Sequence, residues 1–306
     1  MLSRKIITAG IAFWLSVIVI VLIRPKNSEY GIESDEFWAR KILWKNCFNI
    51  VLAGDSRILL GVSPEMMEKN LKDLKVGNFA FVALSYSEEY LEAVESKLLN
   101  EGGPRIIVLG ISPRPLLCSI DANCYFRKWN VKKKNPVDLY IARYTGWIKT
   151  IFRRMTYEEI NFLGKEQDHL QLMISFPDGW MAARSSIELS PESLKTYKAF
   201  MKNRKIDSKK IGLLLRKTKE WSSKGIQVFG VMVPYHKKLY NFESLTPGWN
   251  SSSIKEDFKR NGGKWLEFDQ NEYFAYDFSH LRYDSAVQFS RDLAVAINEN
   301  LNPILK

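Results

Sequence analysis

Serine, histidine and aspartate stand in this chain at positions from which they could together move an acyl group. Ser56 follows the apolar run in the stretch "NIVLAGDSRILLG", residues 49–61: Ile50, Val51, Leu52 and Ala53 read as an interior strand, and Gly54-Asp55-Ser56-Arg57 breaks it at once. Near the other end, "DFSHL" sets Asp277 three positions before His280. A serine hydroxyl is a poor nucleophile until a neutral imidazole takes its proton, and an acidic partner must hold that imidazole in the right tautomer. Across one turn of chain, Asp277 can reach the imidazole Nδ1 of His280 and leave Nε2 facing Ser56. The chain has 3 histidines; His169 lies in the charged "KEQDHLQL" and His236 follows "VMVPY" at the end of an apolar run. Alone, His280 would read as a surface or capping residue. Paired with Ser56 and Asp277 it is a candidate general base.

Such a constellation works only if the elements around it bring both ends of the chain to one edge, and the sequence alternates accordingly. After the opening strand, "SPEMMEKNL" reads as a helix with Ser63 as its cap and Pro64 at its first position. "VGNFAFVAL", residues 76–84, reads as a second strand with its exit loop. "SEEYLEAVESKLLNEGG" reads as a helix capped by Ser87, with Leu91, Val94 and Leu98 on one face, ended by Gly102-Gly103. "RIIVLGIS" is a third strand, continuously apolar as in strands covered on both faces. Residues 112–207 interrupt the rhythm with "LLCSIDANCYF", the helix candidate "VDLYIARYTGWIKTIFRRM" and "FPDGWMAARSS". It resumes with the helix "SKKIGLLLRKTKEWSSKG", the strand "IQVFGVMVP", the helix "SSIKEDFKRNGG", the strand "KWLEF" and a closing helix with Ala286, Phe289, Leu293 and Ile297 inward. The alternation predicts a three-layer α/β/α sandwich with a parallel sheet. Ligands of such sheets collect at the carboxyl ends of the strands, where both Ser56 and the Asp277–His280 loop fall.

Composition bounds the rest. With 306 residues, 46% hydrophobic and 13% aromatic, the chain can bury a substantial core and is not a disordered protein. The net charge of +11 is densest in "VKKKN" and "KNRKIDSKK", which read either as solvated faces or as surfaces drawn to anionic lipid or polymer. No nucleic-acid-binding module is readable. "IITAGIAFWLSVIVIVLI", residues 6–23, is an uncharged run of about 18 residues, near the lower length that spans a bilayer. "VLIRPKNSEYG" after it offers no small-x-small cleavage site. Residues 1–27 therefore read as an uncleaved single-pass anchor and 28–306 as the α/β domain. Arg4, Lys5 and the amino terminus make the leading flank slightly more basic than Arg24 and Lys26 make the trailing one. That bias predicts a cytoplasmic N-terminus and an extracytoplasmic body. Cys118 and Cys124 are near enough for a short disulfide loop or stand with Cys47 as three thiols. No histidine lies near the pair to suggest a metal, and nothing implies a cofactor.

"GDSR" after the first strand together with "DFSHL" before the last helix resembles the first and last blocks of the SGNH (GDSL-like) hydrolase superfamily, whose fold is a flavodoxin-like sandwich. The likeness runs over roughly 45–300. It implies Ser56 as nucleophile, His280 as general base and Asp277 as its orienting partner. The apolar N-terminus and "GISPRPLL" further resemble the membrane-anchored branch of DltD-like teichoic-acid D-alanylation and alginate O-acetylation proteins. That likeness implies acyl transfer or hydrolysis on a cell-envelope or extracellular polysaccharide, with a membrane-bound O-acyltransferase as a potential partner. The middle blocks depart from the pattern. "GNFAFVALS" keeps Gly77 and Asn78 but has no glycine in the loop after the strand, and "LGISPRP" has Ser112 where an asparagine is expected. The oxyanion would then be held by the Ser56 N–H with help from Asn78, the loop Ala80–Ser85 or the loop Ser112–Arg114. Arg57 and Arg114 read as anionic-substrate ligands or as structural ion pairs. A non-catalytic domain that keeps the fold and binds a glycan or a partner acyltransferase is the alternative.

Overall fold

A computed structural model describes residues 2–23, 31–118, 124–152, 172–184 and 189–301. The basic flank Arg24 and Lys26 and the interior of the Cys118–Cys124 loop fall outside them. Five strands, β1 (Ile50–Ala53), β2 (Val76–Asn78), β3 (Ile106–Gly110), β6 (Gln227–Val231) and β7 (Lys264–Leu266), form a parallel sheet in the order β2-β1-β3-β6-β7. A separate antiparallel hairpin joins β4 (Leu172–Ser175) to β5 (Met181–Arg184). The sheet order reverses direction once, between β1 and β3. With right-handed crossovers, that reversal sends the connections on its two sides to opposite faces. On one face lie α3 (Ser56–Gly61) and α4 (Pro64–Glu68), both packed on the closing helix α12 (Tyr283–Asn300). On the other lie α5 (Glu88–Glu95), α9 (Ser208–Ser223) and α11 (Ser251–Arg260); α9 packs on α11, and its Trp221 Nε1 donates to Glu95 Oε2 at 3.0 Å. The expected α/β layering with a parallel sheet is what the chain adopts. The second strand ends at Asn78, and the exit loop after it still runs beside β1, with Phe79 N–H donating to Leu52 O at 2.8 Å.

The elements follow local chemistry. Ser63 caps α4 by accepting from Met66 N–H, with Pro64 at the first position, and Ser87 caps α5 by accepting from Tyr90 N–H. Every residue of β1 and β3 is buried, as their unbroken apolar runs require. The long stretch between β3 and α9 holds α6 (Tyr125–Asn130), α7 (Pro136–Phe152), the hairpin and α8 (Pro191–Met201). All three cysteines are unpaired thiols. At the N-terminus, α1 (Leu2–Ile23) is a 22-residue helix. Ile6, Ile11, Phe13, Trp14, Leu15 and Val19 on it are exposed. Counting described side chains alone, no helix is long and apolar enough to cross a membrane.

One helix had no sequence signal. α2 (Ser34–Leu43) buries Phe37, Trp38 and Ile42, and also Lys41. The Lys41 ammonium donates to Ala80 O at 2.7 Å and Gly179 O at 3.0 Å, over the rings of Phe37, Trp38 and Phe81. Burial holds its pKa well below the ordinary lysine value, against the attraction of Asp178. A second buried lysine closes the end of α2: Lys97 Nζ donates to Ile42 O at 3.2 Å and Trp44 O at 2.6 Å. Burial, with a smaller push from Lys133, lowers Lys97 to about 7.

An unfolded lysine keeps its proton up to its ordinary pKa, so between about pH 7 and 10.5 the unfolded chain binds more protons than the folded one at Lys97. Stability from this group therefore rises with pH across that window, by about 2 kcal/mol from pH 7 to pH 9. Urea unfolding at both pH values, on the wild type and on Lys97→Met, checks it: the substitution flattens the pH dependence by that amount.

Candidate active site

The crevice outside the carboxyl ends of a parallel sheet opens where the strand order reverses, here between β1 and β3. The chain leaves β1 through Gly54 and Asp55 and enters α3 with Ser56 as its first helical residue. Asp55 caps the helix by accepting from Arg57 N–H at 3.0 Å. The turn is braced from below. Tyr90 Oη accepts from Gly54 N–H at 2.9 Å and donates to Phe79 O at 3.0 Å, while Tyr86 Oη donates to Gly110 O at 2.7 Å. Burial, together with neighbouring negative charge, raises both phenols well above their ordinary range, so they remain neutral donors. Gly54 and Gly110 leave room for Ile58: a Cβ added to them would stand 2.8 Å and 2.2 Å from its Cγ1. No larger residue fits either position without moving α3.

Ser56, His280 and Asp277 meet there. His280 Nε2 lies 2.8 Å from Ser56 Oγ, and its Nδ1 lies 2.7 Å from Asp277 Oδ2. The other carboxylate oxygen, Oδ1, accepts the backbone N–H groups of Ser279 at 3.0 Å and His280 at 2.8 Å. This wrapping needs a left-handed backbone between them, and Phe278 supplies it at φ 68°. A bulky residue adopts that conformation only when its surroundings impose it. Phe278 is buried, packs edge-on to His236 at 4.7 Å between ring centres, and its carbonyl accepts from His236 N–H at 3.1 Å. Burial works to raise the Asp277 carboxyl, but the attraction of His280, its hydrogen bond and the two backbone donors outweigh burial and hold the group below the usual carboxylate range. A lowered folded-state pKa means that this stabilisation is present above the unfolded carboxylate pKa and is lost as pH falls through the folded one. The arrangement is that of an activated hydroxyl: a proton can pass from Ser56 Oγ to Nε2 while Asp277 steadies the cation that forms.

The other sequence-predicted residues divide. Asn78 is not a substrate ligand. Its Nδ2 donates to Ile58 O and Val62 O, both at 2.9 Å, and its Oδ1 accepts from Ala80 N–H at 3.1 Å, which exhausts its useful geometry inside the core. Nor does Arg57 reach into the crevice. It is buried and committed at all three nitrogens to Glu243, Tyr197 and Ser279. The Ala80–Ser85 loop also contributes less than expected, since Ala80 N–H goes to Asn78 and Phe81 N–H to Gly54 O at 3.1 Å. Ser112 and Arg114 remain at the carboxyl end of β3, with Ser112 Oγ and Arg114 Nη1 buried and without hydrogen-bond partners among the described atoms. The Ser56 N–H, on the first helical residue, has no carbonyl one turn back to bond.

Sequence reasoning missed the support of this site. Glu243 lies in α10 (Lys237–Glu243), within "NFESL", with nothing in its neighbourhood to mark it as buried. Tyr86 and Tyr90 were readable as part of a helical entry but not as braces of the serine turn. Only Ser279 sits inside a motif already singled out. His169 lies outside the described residues. Among the described residues no group of histidines, cysteines and carboxylates could hold a metal ion.

The role of Asn78 is testable. Asn78→Ala takes the side-chain partner from the Val62 carbonyl and the Ala80 N–H in the core and leaves the Ile58 carbonyl with its one bond from Val62 N–H; it lowers the free energy of unfolding by about 3 kcal/mol, measured by urea titration. A ligand-only role would leave the titration unchanged.

No family model matches the chain, and comparison with curated proteins and with solved structures also finds no match.

Proposed function

We propose that this protein is a serine acyltransferase or esterase of the SGNH type that works through Ser56, His280 and Asp277. The observation that carries this reading is the continuous contact from Ser56 Oγ through both imidazole nitrogens to Asp277 Oδ2, at 2.8 and 2.7 Å, at the switch point of a parallel sheet. Ser56 Oγ attacks the acyl carbonyl carbon as its proton moves to His280 Nε2. The alkoxide that departs takes that proton back, leaving an ester on Ser56. Water or a sugar hydroxyl then gives its proton to Nε2 and attacks the ester carbonyl, and as the C–O bond to Ser56 breaks, Ser56 Oγ takes that proton from Nε2 and leaves the free acid or the acylated sugar. The oxyanion in both steps falls to the Ser56 N–H, with the spare donors of Ser112 and Arg114 as the supplement.

The substrate class belongs to the same proposal: acyl groups, O-acetyl among them, on a cell-envelope or extracellular polysaccharide. Its support is the sequence likeness together with the apolar α1, whose described apolar side chains are turned outward on more than one face. A helix apolar all round is a buried or membrane helix, and at about 1.5 Å per residue the uncharged stretch 6–23 of α1 runs about 27 Å, close to the thickness of a bilayer core. The reading therefore has α1 as a single-pass anchor with the α/β body outside the cytoplasm and a membrane-bound O-acyltransferase as a potential partner. The competing reading, a binding domain without catalysis, draws on Asn78 and Arg57 being spent on structure rather than on substrate.

A fluorophosphonate probe separates the two. The full-length wild type is expected to label at one site, Ser56→Ala and His280→Ala to abolish labelling, and Asp277→Asn to slow it by about 10⁴-fold. A folded wild type that resists the probe would favour the binding domain.

A further inference from the structure

The residue after the nucleophile and the residue before the base are bonded to each other. Arg57 Nε donates to Ser279 Oγ at 3.2 Å, and this contact runs beside the one between Ser56 and His280, displaced by one residue on each chain. The guanidinium that makes it is immobilised. Nη1 donates to Glu243 Oε2 at 3.0 Å, Nη2 donates to Glu243 Oε1 at 2.7 Å and to Tyr197 Oη at 3.3 Å, and the plane lies 3.8 Å from the ring centre of Tyr235. Glu243 is equally committed: Tyr197 donates to its Oε1, and Tyr235 donates to its Oε2 at 2.5 Å. Arg57 is 3% exposed and Glu243 0%.

A buried ion pair of this kind is a weak source of net stability, because desolvation offsets most of the attraction. What a bidentate, ring-stacked pair does well is fix direction. Here the one guanidinium nitrogen not spent on Glu243 or Tyr197 points at the loop that carries His280. That loop also contains the left-handed Phe278, a conformation that relaxes unless it is held. The serine side needs no such help, since Ser56 is fixed by α3 and the Gly54 turn. The histidine side comes from a loop, and the fork from α3 reaches across to it.

We propose that Arg57 is a positioning residue: clamped by Glu243 and Tyr235, it holds Ser279, and through Ser279 the imidazole of His280, in register with Ser56. The inference rests on the acyl-transfer reading for its consequence, and on the hydrogen bonds alone for its geometry. Lysine cannot replace arginine here, because a single ammonium nitrogen cannot grip both carboxylate oxygens and still reach Ser279. Ser279→Ala is the cleaner variant: it deletes the one acceptor and leaves the Arg57–Glu243 pair whole.

The test uses the full-length protein with ¹⁵N-labelled histidine; the chain's 3 histidines make assignment by substitution direct. The low-field Nδ1 proton of His280 reports its bond to Asp277 without any turnover, and the rate of fluorophosphonate labelling reports its bond to Ser56. Ser279→Ala and Arg57→Lys are both expected to lose the low-field proton and to label at least about tenfold more slowly, with the Tm of Ser279→Ala within a few degrees of wild type. A Ser279→Ala protein that keeps the proton and the labelling rate overturns the proposal. So does a wild type without the low-field proton, and so does a Ser279→Ala protein whose Tm falls by ten degrees or more, which would make the contact a general structural one. A wild type that never labels, yet loses the proton on Ser279→Ala, would sink the acyl-transfer reading and leave the positioning role standing.

Discussion

Ile58 against two glycines is the contact on which the site depends. Its side chain sits so close over Gly54 and Gly110 that neither could carry a Cβ. Because that packing draws the start of α3 onto the ends of β1 and β3, only Gly54 and Asp55 separate the strand from the helix. A two-residue passage of this kind leaves Ser56 little choice of position: it is the first helical residue, with a free N–H beneath it and its hydroxyl at the mouth of the crevice. Looser packing at Ile58 would lengthen the turn and let the hydroxyl wander. The constraint also explains the depth of bracing under the turn, where two buried phenols hold the backbone of Gly54 and Gly110 directly.

What the sequence made legible was the part governed by local chemistry. Ser63 and Ser87 cap their helices, the apolar runs of β1 and β3 are buried throughout, and Asp277 meets His280 across one turn. Each of those depends on residues within a few positions of one another. Meeting Ser56 was inferable because a parallel sheet gathers loop residues at one edge, whatever their separation in the chain. Asn78 was misread for the opposite reason, and the two readings of Arg57, substrate ligand or structural ion pair, could not be told apart for the same one; it is the ion pair. A polar residue beside a nucleophile has the same sequence appearance whether it faces substrate or core, and only tertiary packing decides. Asn78 turned inward because the carbonyl of Val62, just past a helix only a turn and a half long, needs a donor that the helix does not supply, and the Ile58 carbonyl, already bonded by Val62 N–H, has a second lone pair for the same amide.

The buried cations share that logic. Lys41 and Lys97 are placed where a strand exit, a hairpin turn and a helix end leave carbonyls inside the core, and in each case an ammonium group spans two of them. Two N–H donors on one flexible stem do what two separate amide side chains would otherwise have to do. The cost is a lysine whose charged form is disfavoured by burial. That is why α2, polar and short by its sequence, gave no signal of being a core helix: two of its inward residues, Glu36 and Lys41, are of types that read as solvent-facing.

Residues 112–207 were the least readable part, and they turn out to be more than a covering. Asp178 O accepts from Asn78 N–H at 2.9 Å, Gly179 O receives Lys41, and Trp180 Nε1 donates to Leu60 O at 3.0 Å in the helix behind Ser56. From α8, Tyr197 reaches the Arg57–Glu243 pair. Four of the contacts that fix α2, β2, α3 and the guanidinium therefore come from outside the alternating strands and helices. An interruption that merely overlay the crevice would be free to change without touching the triad. This one is built into the floor of the site, so a change of loop in the "FPDGW" turn is coupled to the geometry of Ser56 through the same backbone carbonyls that Asn78 and Trp180 satisfy. The lining that this segment gives the crevice and the alignment of Ser56 with His280 cannot vary independently, and the absence of a recognisable motif there follows from what the segment supplies, which is backbone carbonyls and ring edges rather than a fixed set of side-chain groups.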